Sequence, residues 1–220
     1  MYIYKKFFLK IFVIFKITFL IYKFYKIYAL NNYLYFIYFF NKKYKLTSLI
    51  NLEIILINIF LDSILSVFSA SLNFNFDFKY KVCDLGSGFG VPGLIISIIV
   101  PKWKIFCIDF IEKNFYFLKF FRNNLQIKNL IIINSKIEIL IFQNFDLIFS
   151  RAFSSLYKIV LYSSKHTSKI CYIISMKGKF IYEEIKYLDL LKYFCLNNII
   201  FLNLFYKKYQ RCLIEIKNIN

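Results

Sequence analysis

The rhythm of apolar and polar positions changes near residue 80 and divides the chain in two. Before that point apolar side chains recur at helical spacing. Residues 1–40 read as helical, with a break expected at Asn31-Asn32. Residues 41–45 read as a polar, basic connector. A second helical pattern starts at Leu46-Thr47-Ser48 and runs through Leu61-Asp62-Ser63-Ile64 to about Ser69. Residues 73–79 alternate Asn and Asp with Phe and predict a loop. Beyond it, short apolar runs alternate with helical stretches. Residues 81–85 predict a strand, followed by a glycine-rich turn and a helix from Pro92 to about Val100. Residues 103–108 predict a strand that ends at Asp109. Residues 113–126 predict an amphipathic helix with Phe117, Leu118, Phe121 and Leu125 on one side. The runs 130–133 and 145–150 are continuously apolar, as strands covered on both faces are. A helix over 155–163 and a strand over 171–176 follow, and 198–205 with 212–216 predict a closing antiparallel pair. Strands alternating with helices give an α/β fold, a parallel sheet with helices on both faces. The expected division is a helical extension over residues 1–69 and a sheet domain over 70–220.

Composition narrows the class. The chain has 220 residues, 60% of them hydrophobic and 22% aromatic, with mean hydropathy +0.56. Disorder is excluded by that apolar content, and collagen-like chains by 5 Gly and 2 Pro. Phe, Tyr, Ile, Asn and Lys crowd out other residues, with 27 Lys against 3 Arg. Coding DNA very rich in A and T would produce this bias, and much of the apolar character then says little about location. Residues 1–52 carry 9 Lys and no acid, residues 53–150 carry 9 basic and 8 acidic side chains, and residues 151–220 carry 12 and 4. Two basic ends flank a nearly neutral middle. Lysine drift on solvated helix faces accounts for this, and so does a polyanionic partner, either nucleic acid or an anionic membrane.

The longest uncharged stretches, residues 85–101 and 27–41, span 17 and 15 residues, short of the ~18 that a spanning helix needs. Near the N-terminus Lys5, Lys6, Lys10, Lys16, Lys23 and Lys26 fall within an arc of roughly 200° at helical spacing. Phe7, Ile11, Ile14, Phe15, Ile21, Tyr22 and Tyr25 lie on the other face. Such a helix packs on a domain or lies on a membrane surface. Packing is the expectation here, without stable membrane insertion. Cys83, Cys107, Cys171, Cys195 and Cys212 are odd in number and widely spaced, so they read as small hydrophobes in a reducing cytoplasm. His166 stands alone and reads as a loop residue, with no metal site expected.

Chemistry concentrates in Val82-Cys83-Asp84-Leu85-Gly86-Ser87-Gly88-Phe89-Gly90-Val91-Pro92-Gly93. An apolar strand ends in an acid, turns through alternating glycines and enters a helix with Pro92 at its first position, where the missing N–H has no partner anyway. Open α/β sheets bind ligands at this end of their strands. Gly88-x-Gly90-x-x-Gly93 matches the dinucleotide fingerprint, so NAD or another nucleotide is one reading. Asp84 argues against it, since a carboxylate repels a pyrophosphate at the helix N-terminus. A ligand with an ammonium and a sulfonium, such as S-adenosylmethionine, welcomes that acid. Asp109, at the next strand end, suits the paired hydroxyls of a ribose in either reading. Each acid also reads as an ordinary structural carboxylate.

These residues resemble the RsmG (GidB) family of bacterial 16S rRNA guanine-N7 methyltransferases. Tyr44-Lys45-Leu46-Thr47-Ser48 is similar to the family's Y-N-L-T-S, and Leu61-Asp62-Ser63 to its L-D-S. Ser135-Lys136-Ile137-Glu138 is similar to S-R-V-E, and Met176-Lys177-Gly178 to L-K-G. Ser150-Arg151-Ala152-Phe153-Ser154-Ser155-Leu156 resembles S-R-A-F-A-S-L, the most specific piece, because general methyltransferases lack it. The resemblance implies a Rossmann-like class I S-adenosylmethionine-dependent methyltransferase sheet with an N-terminal helical extension. It implies that Gly86 and Val91 line the methionine and ribose side of the cofactor, that Ile137 and Glu138 hold its adenine end, and that Arg151 closes the site. Asp84, Gly88 and Asp109 complete the expected cofactor set. The implied reaction is N7-methylation of guanine 527 in the 530 loop of 16S rRNA, with the small ribosomal subunit as partner, in the cytoplasm, by a monomer. Such chemistry needs no Ser/His/Asp or Cys/His constellation, because guanine N7 carries no proton and the protein supplies mainly positioning. The chain departs from the family at Asn58-Ile59, Lys136 and Asn114, where basic residues are usual, or Arg in the case of Lys136. Wherever the family's side chains at those places meet RNA phosphates, the extra lysines of this chain would have to serve instead.

Overall fold

The computed structural model describes residues 24–49, 51–70, 73–178, 182–201 and 211–219. Helix α1 (Phe24–Tyr44) comes first. A short helix, α2 (Leu52–Ile55), passes into a π-helical turn over Leu56–Leu61 and then into α3 (Asp62–Ala70). The sheet domain follows as β1 (Lys81–Leu85), α4 (Gly93–Ile99), β2 (Lys104–Asp109), α5 (Glu112–Asn124), β3 (Leu130–Asn134), β4 (Phe145–Arg151), α6 (Leu156–Ser163), β5 (Thr167–Lys177), α7 (Tyr182–Lys186), β6 (Phe194–Phe201) and β7 (Cys212–Asn218). The strands form one seven-stranded sheet in the order β3-β2-β1-β4-β5-β7-β6. The first five pair in parallel, and β7 enters antiparallel between β5 and β6. The expected α/β sheet with an antiparallel closing pair is what forms.

Strand alternation builds two cores. Ile105 and Cys107 of β2 and Leu147 and Phe149 of β4 face one side, where α1, α3, α4 and α5 pack on them. Phe106, Ile108 and Ile148 face the other side, under α6 and a 3-10 turn at Tyr187–Leu190. Leu30 and Ile37 of α1 are fully buried in the first core. Burial of one such side chain contributes about 1.5–3 kcal/mol relative to exposure, so the helical layer is held to the sheet by ordinary apolar packing.

Several expectations need correction. Helix α1 runs unbroken through Asn31-Asn32, because both are only half-buried while Ala29, Leu30, Tyr33 and Leu34 around them anchor the helix in the core. Packing outweighs a propensity penalty of a few tenths of a kcal/mol per Asn. The connector therefore begins later, at Lys45, where φ is +46°. Asn41 organises it, accepting the Thr47 amide and donating to the Leu49 carbonyl. The next helix starts at Leu52 rather than at Leu46 and contains an unforeseen π-helical turn. Pro92 sits just before the first residue of α4. His166 is buried in a 3-10 turn, its Nε2 2.9 Å from the Ile137 carbonyl oxygen, and is no loop residue. The lysine-striped helix expected within residues 1–23 lies outside the described residues. Among those described, no helix is long and apolar enough to cross a membrane.

Candidate functional site

The carboxyl ends of β1, β2 and β4 converge on the glycine turn. Gly86 and Ser87 both donate their amides to the Ile108 carbonyl, at 2.9 and 3.2 Å, which ties the turn to β2. Gly90 and Val91 donate back to the Ser87 carbonyl, at 2.8 and 3.1 Å, closing a compact loop. Gly86 has φ +70°, a conformation that side-chain-bearing residues rarely adopt, and a Cβ there would lie 2.4 Å from Phe153 Cδ2. Gly93 is required by close packing instead. A Cβ on it would fall 2.5 Å from Cys107 Sγ and 2.7 Å from Asp84 Oδ2. At Gly88 a Cβ would meet nothing within 4 Å. That is the open side of the loop.

Two acids shape it. Asp84 points to the face covered by α4, where it is fully buried. Its Oδ2 accepts the Gly93 amide at 2.7 Å, and its Oδ1 has no hydrogen-bond partner. Burial pushes this carboxyl up to about 7, with the Gly93 N–H pulling the other way and the Asp109 charge adding to the rise. Asp109 ends β2 with both oxygens engaged. Oδ2 accepts the Gly88 amide at 2.7 Å and Oδ1 the Ile111 amide at 2.8 Å. Its main-chain carbonyl accepts Asn134 Nδ2 at 3.0 Å and the Ser135 amide at 3.1 Å. One residue thus fastens the ends of three adjacent strands.

Of the residues singled out from sequence, Asp84, Gly86, Gly88, Val91 and Asp109 share this loop cluster, Val91 with its side chain in the first core. Arg151 stands one strand away, directly after Ser150, which pairs with Leu85. Its Nη2 donates to the Asn58 carbonyl at 3.1 Å, and burial lowers its pKa. Ile137 and Glu138 form a 3-10 turn beyond β3. The Ile137 side chain is 2% exposed and turned into the second core, while Glu138 is exposed and its carbonyl accepts Lys165 Nζ. Asn58, Ile59 and Asn114, the departures from the family pattern, are all buried here.

Sequence reasoning missed several residues. Tyr33 of α1 donates its hydroxyl to the Phe89 carbonyl in the middle of the glycine turn. It reads as one more apolar position in a helix, so only its hydroxyl hinted at a partner. Phe153 covers Gly86, and Phe110 next to Asp109 is 61% exposed, with Lys136 Nζ 6.0 Å from its ring. The exposed phenylalanine lies hidden in a chain where aromatics are everywhere.

The residues present fit a cationic ligand better than a pyrophosphate. The Gly93 amide, at the start of α4 where a pyrophosphate would dock, is already taken by Asp84. A second phosphate oxygen would face a carboxylate. An orphaned carboxylate oxygen beneath a loop open at Gly88 suits instead an ammonium or sulfonium group.

Comparison with known proteins agrees. A family model described as GidB, rRNA small subunit methyltransferase G, matches residues 26–213. The ribosomal RNA small subunit methyltransferase G of Bordetella avium is 33% identical over 146 residues, covering 66% of this chain and 65% of its own. That of Psychromonas ingrahamii is 34% identical over 181 residues, covering 81% and 83%. The match to the Bordetella avium and Bordetella petrii proteins thus spans 65% and 57% of their lengths, less than two thirds. Among solved structures, a SAM-dependent methyltransferase from Aquifex aeolicus aligns with TM-score 0.56 at 17% identity, over 74% of this chain and 92% of that one. A ribosomal protein L11 methylase from Lactobacillus delbrueckii subsp. bulgaricus aligns with TM-score 0.58 at 11% identity, over 74% and 79%. Those two likenesses speak for the fold. With the family model covering most of the chain, this protein belongs to the rRNA small subunit methyltransferase G (GidB) family.

Proposed function

We propose that this protein transfers the methyl group of S-adenosylmethionine to N7 of a guanine in 16S rRNA, the family's guanine 527 in the 530 loop. The observation that carries the reading is Asp84, a buried carboxylate with a free oxygen at the root of an open glycine turn. In this reading residues 70–220 form the methyltransferase domain and residues 1–69 its helical extension. Gly86, Gly88 and Val91 shape the wall along the methionine and ribose, with Phe153 holding the Gly86 corner. Asp84 supplies negative charge under the cationic end. Asp109 holds the Gly88 amide in place and keeps acceptor capacity for the ribose hydroxyls. Ile137 and Glu138 stand at the adenine end, and Arg151 closes the side toward β4. The cofactor, when bound, supplies an activated methyl group on sulfur. Guanine N7 carries no proton, so no general base is called for among the chain's own residues. What the chain contributes is alignment, worth up to ~7–11 kcal/mol when reacting atoms are held in line. The basic ends match a phosphate backbone, with 9 Lys and no acid giving +9 over residues 1–52 and 12 basic against 4 acidic side chains giving +8 over 151–220. The free cysteines among the described residues are in keeping with work in a reducing, cytoplasmic compartment.

Incubation with labelled methyl donor and unmethylated small-subunit RNA or particles tests this directly. Label mapped as N7-methylguanine is the expected result. Correctly folded protein that binds NAD more tightly than S-adenosylmethionine and leaves RNA unlabelled would end the reading.

A further inference from the structure

Helices α1 and α5 meet along a seam that is aromatic inside and both aromatic and basic outside. Phe36 and Phe40 of α1 pack on Phe117, Phe120 and Phe121 of α5, with ring centroids 5.0–6.2 Å apart. Lys113 Nζ closes one end of the seam by donating to the Tyr44 carbonyl at 3.3 Å. Phe39, Tyr44, Tyr116 and Phe120 nevertheless remain 44–58% exposed. Residues 39–45 and 113–120 contain five lysines and no acid. All five lysines are exposed, and none of the ion pairs among the described residues involves them. Lys43 Nζ lies 5.3 Å from the centre of the Tyr44 ring and Lys119 Nζ 5.7 Å from that of Phe115. Ring and charge thus stand side by side. The seam begins where the glycine-turn site ends, since Ile111, whose amide Asp109 Oδ1 accepts, is the residue before α5.

We propose that this seam docks unpaired RNA beside the methyl-transfer site, its lysines meeting phosphates and its exposed rings stacking on bases. The assignment rests on the methyltransferase reading above and adds where the RNA strand runs. An exposed apolar patch rimmed by polar groups marks a binding surface. Lysines alone would hold any polyanion, and rings alone any apolar partner. The combination fits a charged backbone that carries open π-faces, which is single-stranded nucleic acid. In a duplex the base faces are stacked on one another, so only edges, sugars and phosphates are offered and the rings go unused. Lysines and aromatics also suit an anionic membrane, but position favours RNA. The seam starts at the strand end that carries Asp109 and the Gly88 loop, so a strand lying along it is led to the methyl donor. Stacking on aromatic rings tolerates every base, so the seam contributes affinity and leaves the choice of guanine to the site itself.

The test reads binding by full-length protein without turnover, so its outcome is separate from whether any RNA is methylated. The probes are a labelled single-stranded RNA of mixed sequence, the same RNA annealed to its complement, and phosphatidylserine vesicles. Wild-type protein is expected to bind the single strand more tightly than the duplex. Tyr44→Ala combined with Tyr116→Ala should weaken single-strand binding about tenfold or more. Duplex binding should stay unchanged in that variant, which also shows that it is folded. Lys43→Gln combined with Lys113→Gln should flatten the slope of log K against log salt by about 1.4 for the single strand, at ~0.7 per charge. Lys169→Gln combined with Lys192→Gln is the control, because both lysines are exposed near the amino ends of β5 and β6, at the far end of the sheet. The control pair should change single-strand binding little. Equal loss in the control pair overturns the proposal, and so does undiminished single-strand binding in the aromatic variant. Preference for vesicles over RNA, abolished by the aromatic substitutions, assigns the seam to a membrane and overturns it as well. Seam-dependent binding without methylation would sink the transferase reading and leave the docking surface standing.

Discussion

Phe153 occupies the space that a side chain on Gly86 would need, with a Cβ there falling 2.4 Å from its Cδ2. The two belong to the two most distinctive sequence motifs, one following β1 and the other following β4. Gly86→Ala should therefore suffer twice, from φ +70° and from the ring. The expected loss is about 2 kcal/mol or more in denaturant unfolding. Adding Phe153→Ala should relieve the clash and leave the dihedral strain, so the double mutant falls short of additive loss. Strict additivity would show that the two residues do not meet.

Asp84 gives the free protein a pH dependence of definite sign. Its folded value of about 7 lies above that of an unfolded Asp. The contribution to stability is fully present below the ordinary carboxylate value and is lost as pH rises through 7. Asp84→Asn removes the titration, so the variant should gain on wild type by up to a few kcal/mol between about pH 4 and pH 8. Urea unfolding of both across that range measures the gap, and a constant gap would refute the assignment. The same variant should bind S-adenosylmethionine at least tenfold more weakly.

Asp109→Ala would strip partners from the Gly88 and Ile111 amides at once. Each unsatisfied N–H costs about 1–3 kcal/mol where water cannot reach it. Cofactor affinity should fall with stability, because the Gly88 amide loses its anchor. Asp109→Asn keeps one acceptor and should fall between wild type and Ala. Calorimetry alongside thermal unfolding checks the ranking.

Glu184 ties the segment after β4 to β5. Its Oε2 accepts both the Leu156 amide at 2.7 Å and Lys177 Nζ at 2.8 Å, with the pair's side chains 19% and 13% exposed. Glu184→Ala leaves a half-buried ammonium and an amide unpaired, an expected loss of about 1–3 kcal/mol after allowance for partial exposure. Glu184→Gln retains an acceptor and should lose less. Equal losses in the two variants would show that neither the charge nor the shared acceptor matters.

The sheet and its loop were legible because their signals are local. Strands β1 to β4 read as short apolar runs, and the glycines could serve only a turn. The paired role of Asp84 was half legible. Its sign pointed away from a pyrophosphate, but its bond to the Gly93 amide depends on how α4 leans on β1. The continuity of α1 through Asn31-Asn32 was illegible, since propensity spoke against it and only packing on a distant sheet decided for it. The partnership of Asp62 and Arg211 joins residues from opposite ends of the chain, and no spacing rule reaches that far.

The hydroxyl of Tyr33 on the Phe89 carbonyl makes the helical layer part of the floor of the glycine turn. A shortened chain beginning at residue 70 would display every glycine and both acids of the motif. It would nonetheless lack the strut beneath the motif's midpoint and bare the apolar flank on which α1 rests. Fragments that carry the fingerprint intact are therefore poor stand-ins for the whole, however complete they look on paper.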